Sequence, residues 1–233
     1  METGDKQTEL LTNWENLSVN DRQNTFFQII GLSADQSVNR KAMAALNQYL
    51  AEDYYLVMSS KRKGLFDPKF EVIKKFVEEI RGKTKENTGQ NKKARGVLNS
   101  ARAQAGVMDL LERSGFKLGR TDLDLDLQGL DLVAVNEAGA FLIDVKARSW
   151  KTGILEVGEI DLQPDTIGSG LTIAIRSAPE LFRAKAQIGF ACLKIVVGVF
   201  SPSGDLFEPF SRKSGNELVE RLEKIPKNMR QLR

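Results

Sequence analysis

Residues 129–147 read GLDLVAVNEAGAFLIDVKA, and the fold turns on how this run is parsed. Two apolar stretches, 130–135 and 140–146, flank Asn136-Glu137-Ala138-Gly139, a composition typical of a turn. The run therefore predicts a β-hairpin. A four-residue connection sets residue 135 opposite 140, and Asp131 opposite Asp144. Opposed residues on one sheet face have Cβ atoms about 5 Å apart, and Lys146, two positions beyond Asp144, projects from the same face. Two carboxylates and an ammonium on an otherwise apolar hairpin are costly unless they bind metal, pair with one another or open to solvent.

Composition narrows the chemistry. The 233 residues contain no histidine and one cysteine, Cys192, which excludes histidine-dependent triads, histidine-bound zinc or iron and an internal disulfide framework. Any metal must be held by oxygen, which points to Mg2+, with Mn2+ as a substitute. Asp131 and Asp144 are the metal-ligand candidates, with the backbone carbonyl near Val145 as an additional donor. Lys146 is placed to orient or deprotonate a water, or to offset charge on a phosphoryl transition state. The sequence shows no phosphate-cradling glycine motif, no apolar run of membrane-spanning length and no secretory leader, so a cytoplasmic (intracellular) protein without a membrane partner is expected.

Residues 1–60 carry four Lys/Arg against eight Asp/Glu, whereas 61–96 carry twelve against five. Helical periodicity covers much of the first 60 residues and recurs over 68–81, where Phe70, Ile73, Phe76, Val77 and Ile80 share a side. Residues 82–96 are polar, basic and glycine-rich and read as a loop or domain boundary. Lys83, Lys85, Lys92, Lys93 and Arg95 are candidates there for nucleic-acid backbone contact. A helix over about 97–114 ends before Gly115 and carries Glu112 in its last turn.

The alternation in 121–127 predicts a half-buried strand with Asp122, Asp124 and Asp126 on one side, reserve metal ligands of which Asp126 is nearest the hairpin. Beyond Lys146, Arg148, Trp150 and Lys151 are further substrate-contact candidates. Residues 153–170 read as loop or short strands, 171–175 as a strand, 179–191 as a helix, 195–200 as a buried strand and 216–224 as a helix. The expected architecture is mixed α/β, with an N-terminal helical region (1–95) for DNA binding or dimerisation and a second region (96–233) bearing the hairpin.

This arrangement resembles the PD-(D/E)xK nuclease superfamily, in which an acid opens one core strand and an acid-x-lysine lies on the next. Asp131 takes the first position, preceded by Gly129-Leu130 where the family commonly has proline; Asp144 and Lys146 supply the second element. Glu112 matches the glutamate that many members add from the preceding helix. The resemblance spans roughly residues 100–200. It implies a restriction-endonuclease-like core with a mixed central sheet flanked by helices, and a Mg2+-dependent endonuclease acting on double-stranded DNA. Within it, a homodimeric type II restriction endonuclease is the first expectation and a Holliday-junction or other structure-selective resolvase the second. A non-catalytic nucleic-acid-binding or assembly protein retaining the fold is a third reading, with Lys146 and the two acids as a plain salt bridge.

Overall fold

The computed structural model describes residues 11, 13–31, 37–86, 88–148, 151–184, 189–199, 207, 212–225 and 230–231. A single turn of 3₁₀ helix, Trp14–Asn16, precedes helices α1 (Val19–Gly31), α2 (Ser37–Lys63), α3 (Pro68–Lys83) and α4 (Gly89–Arg113). Strand β1 (Lys117–Arg120), helix α5 (Leu123–Leu127), strands β2 (Leu132–Asn136), β3 (Gly139–Arg148) and β4 (Thr152–Glu159) follow. Helices α6 (Pro164–Ser177) and α7 (Pro179–Ala184), strand β5 (Gly189–Val199), helix α8 (Arg212–Glu223) and strand β6 (Arg230–Gln231) complete the described chain.

The sheet runs β1-β2-β3-β5-β4, with β6 pairing one end of β5. Neighbours are antiparallel except β3 and β5, which are parallel. The molecule is thus a mixed α/β fold whose central mixed sheet is flanked by helices. Alternation along β2 and β3 feeds two cores. Leu132, Ala134, Phe141, Ile143 and Val145 pack on the side of α4 and α8, whereas Val133, Val135, Ala140 and Leu142 pack on the side of α5 and α6. A third core, built on Phe26, Leu46, Tyr54 and Phe76, joins the N-terminal helices.

Helix α4 belongs to two of these cores. Ala94, Val97, Leu98, Ala101 and Ala105 enter the N-terminal one, while Ala103, Val107, Leu110 and Leu111 lie against the sheet. The loop expected over 82–96 is therefore corrected: only a short connection separates α3 from α4. Thr88 caps the new helix by accepting from the Asn91 amide at 3.2 Å, and burial of Ala94 and Val97 outweighs the low helix propensity of Gly89 and Gly96. The boundary drawn after residue 95 falls inside this one helix.

Three further expectations change. Residues 121–127 do not form a strand: Asp122 caps α5 by accepting from the Leu125 amide at 2.9 Å. Gly129 (φ 86°) ends that helix, with the Leu130 amide bonding the Leu125 carbonyl and the Gly129 amide bonding the Asp126 carbonyl. Two local caps override the alternating pattern. Residues 171–175 belong to α6, where Leu171 and Ala174 are buried and Ile175 is exposed, a one-sided pattern that a short apolar run does not reveal. The helix expected over 179–191 stops at Ala184 among the described residues, and 189–191 open β5. Residues 152–159 make the long edge strand β4, and the tail helix begins at Arg212.

No helix among the described residues is long and apolar enough to cross a membrane. The edge strand is seated closely enough to test. A Cβ built on Gly198 would lie 2.3 Å from the carbonyl carbon of Lys151 and 2.4 Å from the Thr152 nitrogen, and backbone cannot swing aside as a side chain can. Gly198→Ala is expected to cost about 1–3 kcal/mol, read as a lower urea midpoint at an unchanged denaturant slope.

Candidate active site

The hairpin register places Val135 opposite Ala140 and Leu132 opposite Ile143, as the turn length predicts. The regular ladder ends there, and Asp131 bonds the same residue that Leu132 opposes. Asp131 donates its amide to the Ile143 carbonyl at 3.0 Å, and its carboxylate Oδ2 accepts the Val145 amide at 2.6 Å. The Asp131 carbonyl accepts from Thr121 Oγ1 at 2.9 Å and Gln104 Nε2 at 3.1 Å. A hairpin, the end of β1 and the middle of α4 therefore fix this one residue.

Alternation puts Asp144 and Lys146 on the side of Leu142, towards α5 and α6, and Asp131, just before β2, joins them through its bond to Asp126 of α5. Asp144 is 7% exposed, and Lys146 Nζ lies 2.5 Å from its Oδ1. That approach is off the hydrogen-bonding direction, and Oδ1 has no aligned donor among the described residues. Asp126 enters from α5, its carboxyl hydrogen-bonded to that of Asp131, and its buried Oδ2 also lacks a donor among the described residues. Helix formation brings it there, since a strand would have aligned it with Asp122 and Asp124. Asp124 instead faces solvent within 3.8 Å of Lys41.

Burial, the hydrogen bond to Asp126 and that neighbour's charge push the Asp131 carboxyl well above the usual range. Burial likewise raises Asp126, against the pull of the Asp131 hydrogen bond and the Lys146 charge. For Lys146, burial acts downward, but the Asp144 contact and the charges of Asp131, Asp144 and Asp126 outweigh it and raise the ammonium. Lys146 is therefore a positive charge held among acids rather than a ready proton acceptor.

Glu112 lies elsewhere. Eight residues beyond Gln104 on α4, it is about 12 Å further along the helix axis, and α4 packs on the opposite face of the sheet from Asp144. Its carboxylate meets Arg62 Nη2 at 2.5 Å and Lys63 Nζ at 3.7 Å, and accepts from the Tyr55 hydroxyl. Glu112 and Asp131 line different parts of one cavity. Of the basic candidates, Lys83 bonds Gln23, Lys93 reaches the Ile30 carbonyl at 3.4 Å and Arg95 bonds the Thr84 carbonyl. Lys85 and Lys92 are exposed. Lys92, Lys93 and Arg95 stand about 14–18 Å from Gln104 along α4. Arg148 and Lys151 are exposed near the end of β3; Trp150 lies outside the described residues.

Sequence reasoning missed Gln104, Thr121 and Lys194. Gln104 stands in the alanine-rich run Ala101-Arg102-Ala103-Gln104-Ala105, where an amide facing a core is itself a signal. Lys194 pairs with Asp144 across β3 and β5 and reaches Glu156 at 3.5 Å; only the parallel strand pairing brings it to the site.

The donor set suits a hard divalent cation. It is all oxygen, and Asp144 Oδ1 and Asp126 Oδ2 are buried acceptors without aligned donors. Ile143 and Val145 turn their backbone groups to the same strand edge, so the Val145 carbonyl faces the space where β2 stops. Among the described residues, no group of three or more acidic or thiol side chains converges to hold a metal. The matching ligand set is two carboxylates, a backbone carbonyl and water, as Mg2+ commonly takes. Comparison with models of known families, with curated proteins and with solved structures returns no match.

The acids also set a pH dependence. With folded-state values raised, the folded protein binds more protons than the unfolded chain above the ordinary carboxylate pKa of about 4. That contribution is fully present below about pH 4 and is lost as pH rises through the folded values. In metal-free buffer, the Tm of Asp131→Asn should gain on the parent as pH rises above about 4. A Tm difference that does not change with pH would contradict the assignment.

Proposed function

We propose that the chain is a metal-dependent endodeoxyribonuclease that hydrolyses phosphodiester bonds in duplex DNA, with a sequence-specific, restriction-type enzyme as its particular form. One observation carries the reading: Asp131, just before β2, and Asp144-x-Lys146 on β3 come together in one cluster, with the Val145 amide on the Asp131 carboxylate. The restriction-endonuclease-like core is part of the same reading, and the parallel strand β5 beside the acid-bearing hairpin supports it.

Asp131, Asp144 and the Val145 carbonyl would hold Mg2+, or Mn2+ in its place; when bound, such an ion polarises the scissile phosphate and lowers the pKa of a bound water. The chain's own contribution begins with Lys146, whose charged ammonium offsets negative charge as the water oxygen bonds to phosphorus. The phosphorus–oxygen bond to the 3′ side then breaks, leaving a 5′ phosphate and a 3′ hydroxyl after protonation. The water proton leaves to solvent or a carboxylate. Arg148 and Lys151, exposed beyond the cluster, would contact the flanking backbone. A two-fold homodimer would set one cluster against each strand.

A non-catalytic reading also has support, in the 2.5 Å contact of Lys146 with Asp144 and the lack of a converged three-acid group among the described residues. The two readings separate cleanly. Purified protein with Mg2+ or Mn2+ should cut long duplex DNA into discrete fragments, and Lys146→Ala should slow cutting by about 100- to 1000-fold. Cutting confined to a four-way junction would make the protein a resolvase. No metal-dependent rise in Tm and no cutting would leave the ion pair as the function of these residues.

A further inference from the structure

Strand β5 runs between β3 and β4, and Lys194 is the one charged residue in it. Every other residue of the strand except Gly189 is buried. A lysine in such a strand gives up hydration unless it has a partner or a use. It stands opposite Asp144 on β3 and Gly158 on β4, and paired residues of neighbouring strands share a face, with about 5 Å between the strands. Lys146, Val196 and Glu156 make the next row of that face. Lys194 and Lys146 are thus diagonal neighbours, roughly 7–8 Å apart.

Asp144 does not account for Lys194. Its carboxylate already meets Lys146, and the Lys194 ammonium turns the other way, to Glu156 Oε1 at 3.5 Å. That pair is open, with side chains 36% and 57% exposed, and an ion pair of this kind adds little to stability. Nor is the neighbouring sheet surface filled. On this face α6 packs over β1, β2 and β3, and a Cβ built on Gly158 would meet only Glu156 Oε1 among the described residues, at 3.6 Å. Four residues beyond Lys194 on the same face, the backbone of Lys151 and Thr152 crosses Gly198, which brings a further lysine to the strip. The acids are therefore bordered on the β4 side by a cation that the fold holds only loosely.

We propose that Lys194 binds the nucleic-acid backbone at this site, its ammonium leaving Glu156 for a non-bridging oxygen of the phosphate next to the one that Lys146 faces. A lysine suits the exchange, because its compact charge sits on a flexible stem and its donors have no fixed plane. The proposal rests on nucleic acid as the substrate but not on cutting, so binding tests it apart from hydrolysis.

The probe is a fluorescein-labelled duplex DNA of mixed sequence, followed by anisotropy in Ca2+ over a range of KCl. Lys194→Met keeps the apolar stem and removes the charge. It should bind about tenfold more weakly, the worth of a hydrogen bond to a charged group, and the slope of log K against log salt should fall by about 0.9, one phosphate contact. Lys194→Arg should restore both. Lys224→Ala removes an equal charge from an exposed position just past α8, which packs on the opposite sheet face, and should leave both as in the parent. A parental slope in Lys194→Met, an equal loss in Lys224→Ala, or a parent that binds no duplex at low salt overturns the proposal. Cleavage in Mg2+ separates it from the nuclease reading. A parent that cuts, with Lys194→Met binding and cutting equally well, sinks this contact alone; a parent that binds through Lys194 and cuts nothing keeps the contact and sinks the nuclease.

Discussion

The hydrogen bond from the Val145 amide to the Asp131 carboxylate is the constraint on which the centre of this structure rests. Strand β2 stops pairing where Asp131 begins, and β3 continues; without a partner, the Val145 N–H would be left unpaired in a covered position. A side-chain oxygen takes the place of the missing backbone carbonyl. The bond therefore extends the ladder by one rung and pins its register. Register in turn decides faces, since a one-residue slip of β3 would move Asp144 and Lys146 to the other core. One contact serves both folding and the site.

Around it the molecule is assembled by shared elements. Helix α4 contributes to the N-terminal helical core with one part and to the sheet with the other, and in between offers Gln104 to the Asp131 carbonyl. Glycines in the left-handed region close both helices that lead to the hairpin: Gly115 (φ 85°) ends α4 and Gly129 (φ 86°) ends α5. Phe116 follows the first and meets Phe141 edge to face at 5.7 Å, fastening β1 behind the site. The N-terminal helices are thus joined by a continuous helix to the β-sheet that carries the acids.

Electrostatically the cluster is asymmetric. Three carboxyl groups, those of Asp126, Asp131 and Asp144, face the Lys146 ammonium, and two of their buried oxygens lack aligned donors among the described residues. A proton between Asp126 and Asp131 or a hard cation relieves that imbalance, and Lys146 relieves part of it. The same excess of acid keeps Lys146 charged, which suits a role in stabilising charge better than one in accepting a proton.

Much of this was legible in the chain. The hairpin and its register from Leu132 to Ile143 follow from a turn composition and the period of two, and the helix over 68–81 follows from its apolar spacing, because these are local rules acting on residues close in sequence. What sequence misread was decided by competition between local rules and by contacts distant in the chain. Residues 121–127 alternate like a strand, but Asp122 and Gly129 cap them into a helix; residues 82–96 look like a loop, but burial of Ala94 and Val97 draws most of them into α4. The sequence by itself determined the acid–lysine pattern and the strands that carry it. Only the tertiary structure decided that Asp126 joins that pattern while Glu112 pairs with Arg62 and Lys63, because helix packing, not spacing, selects the sheet face each side chain reaches.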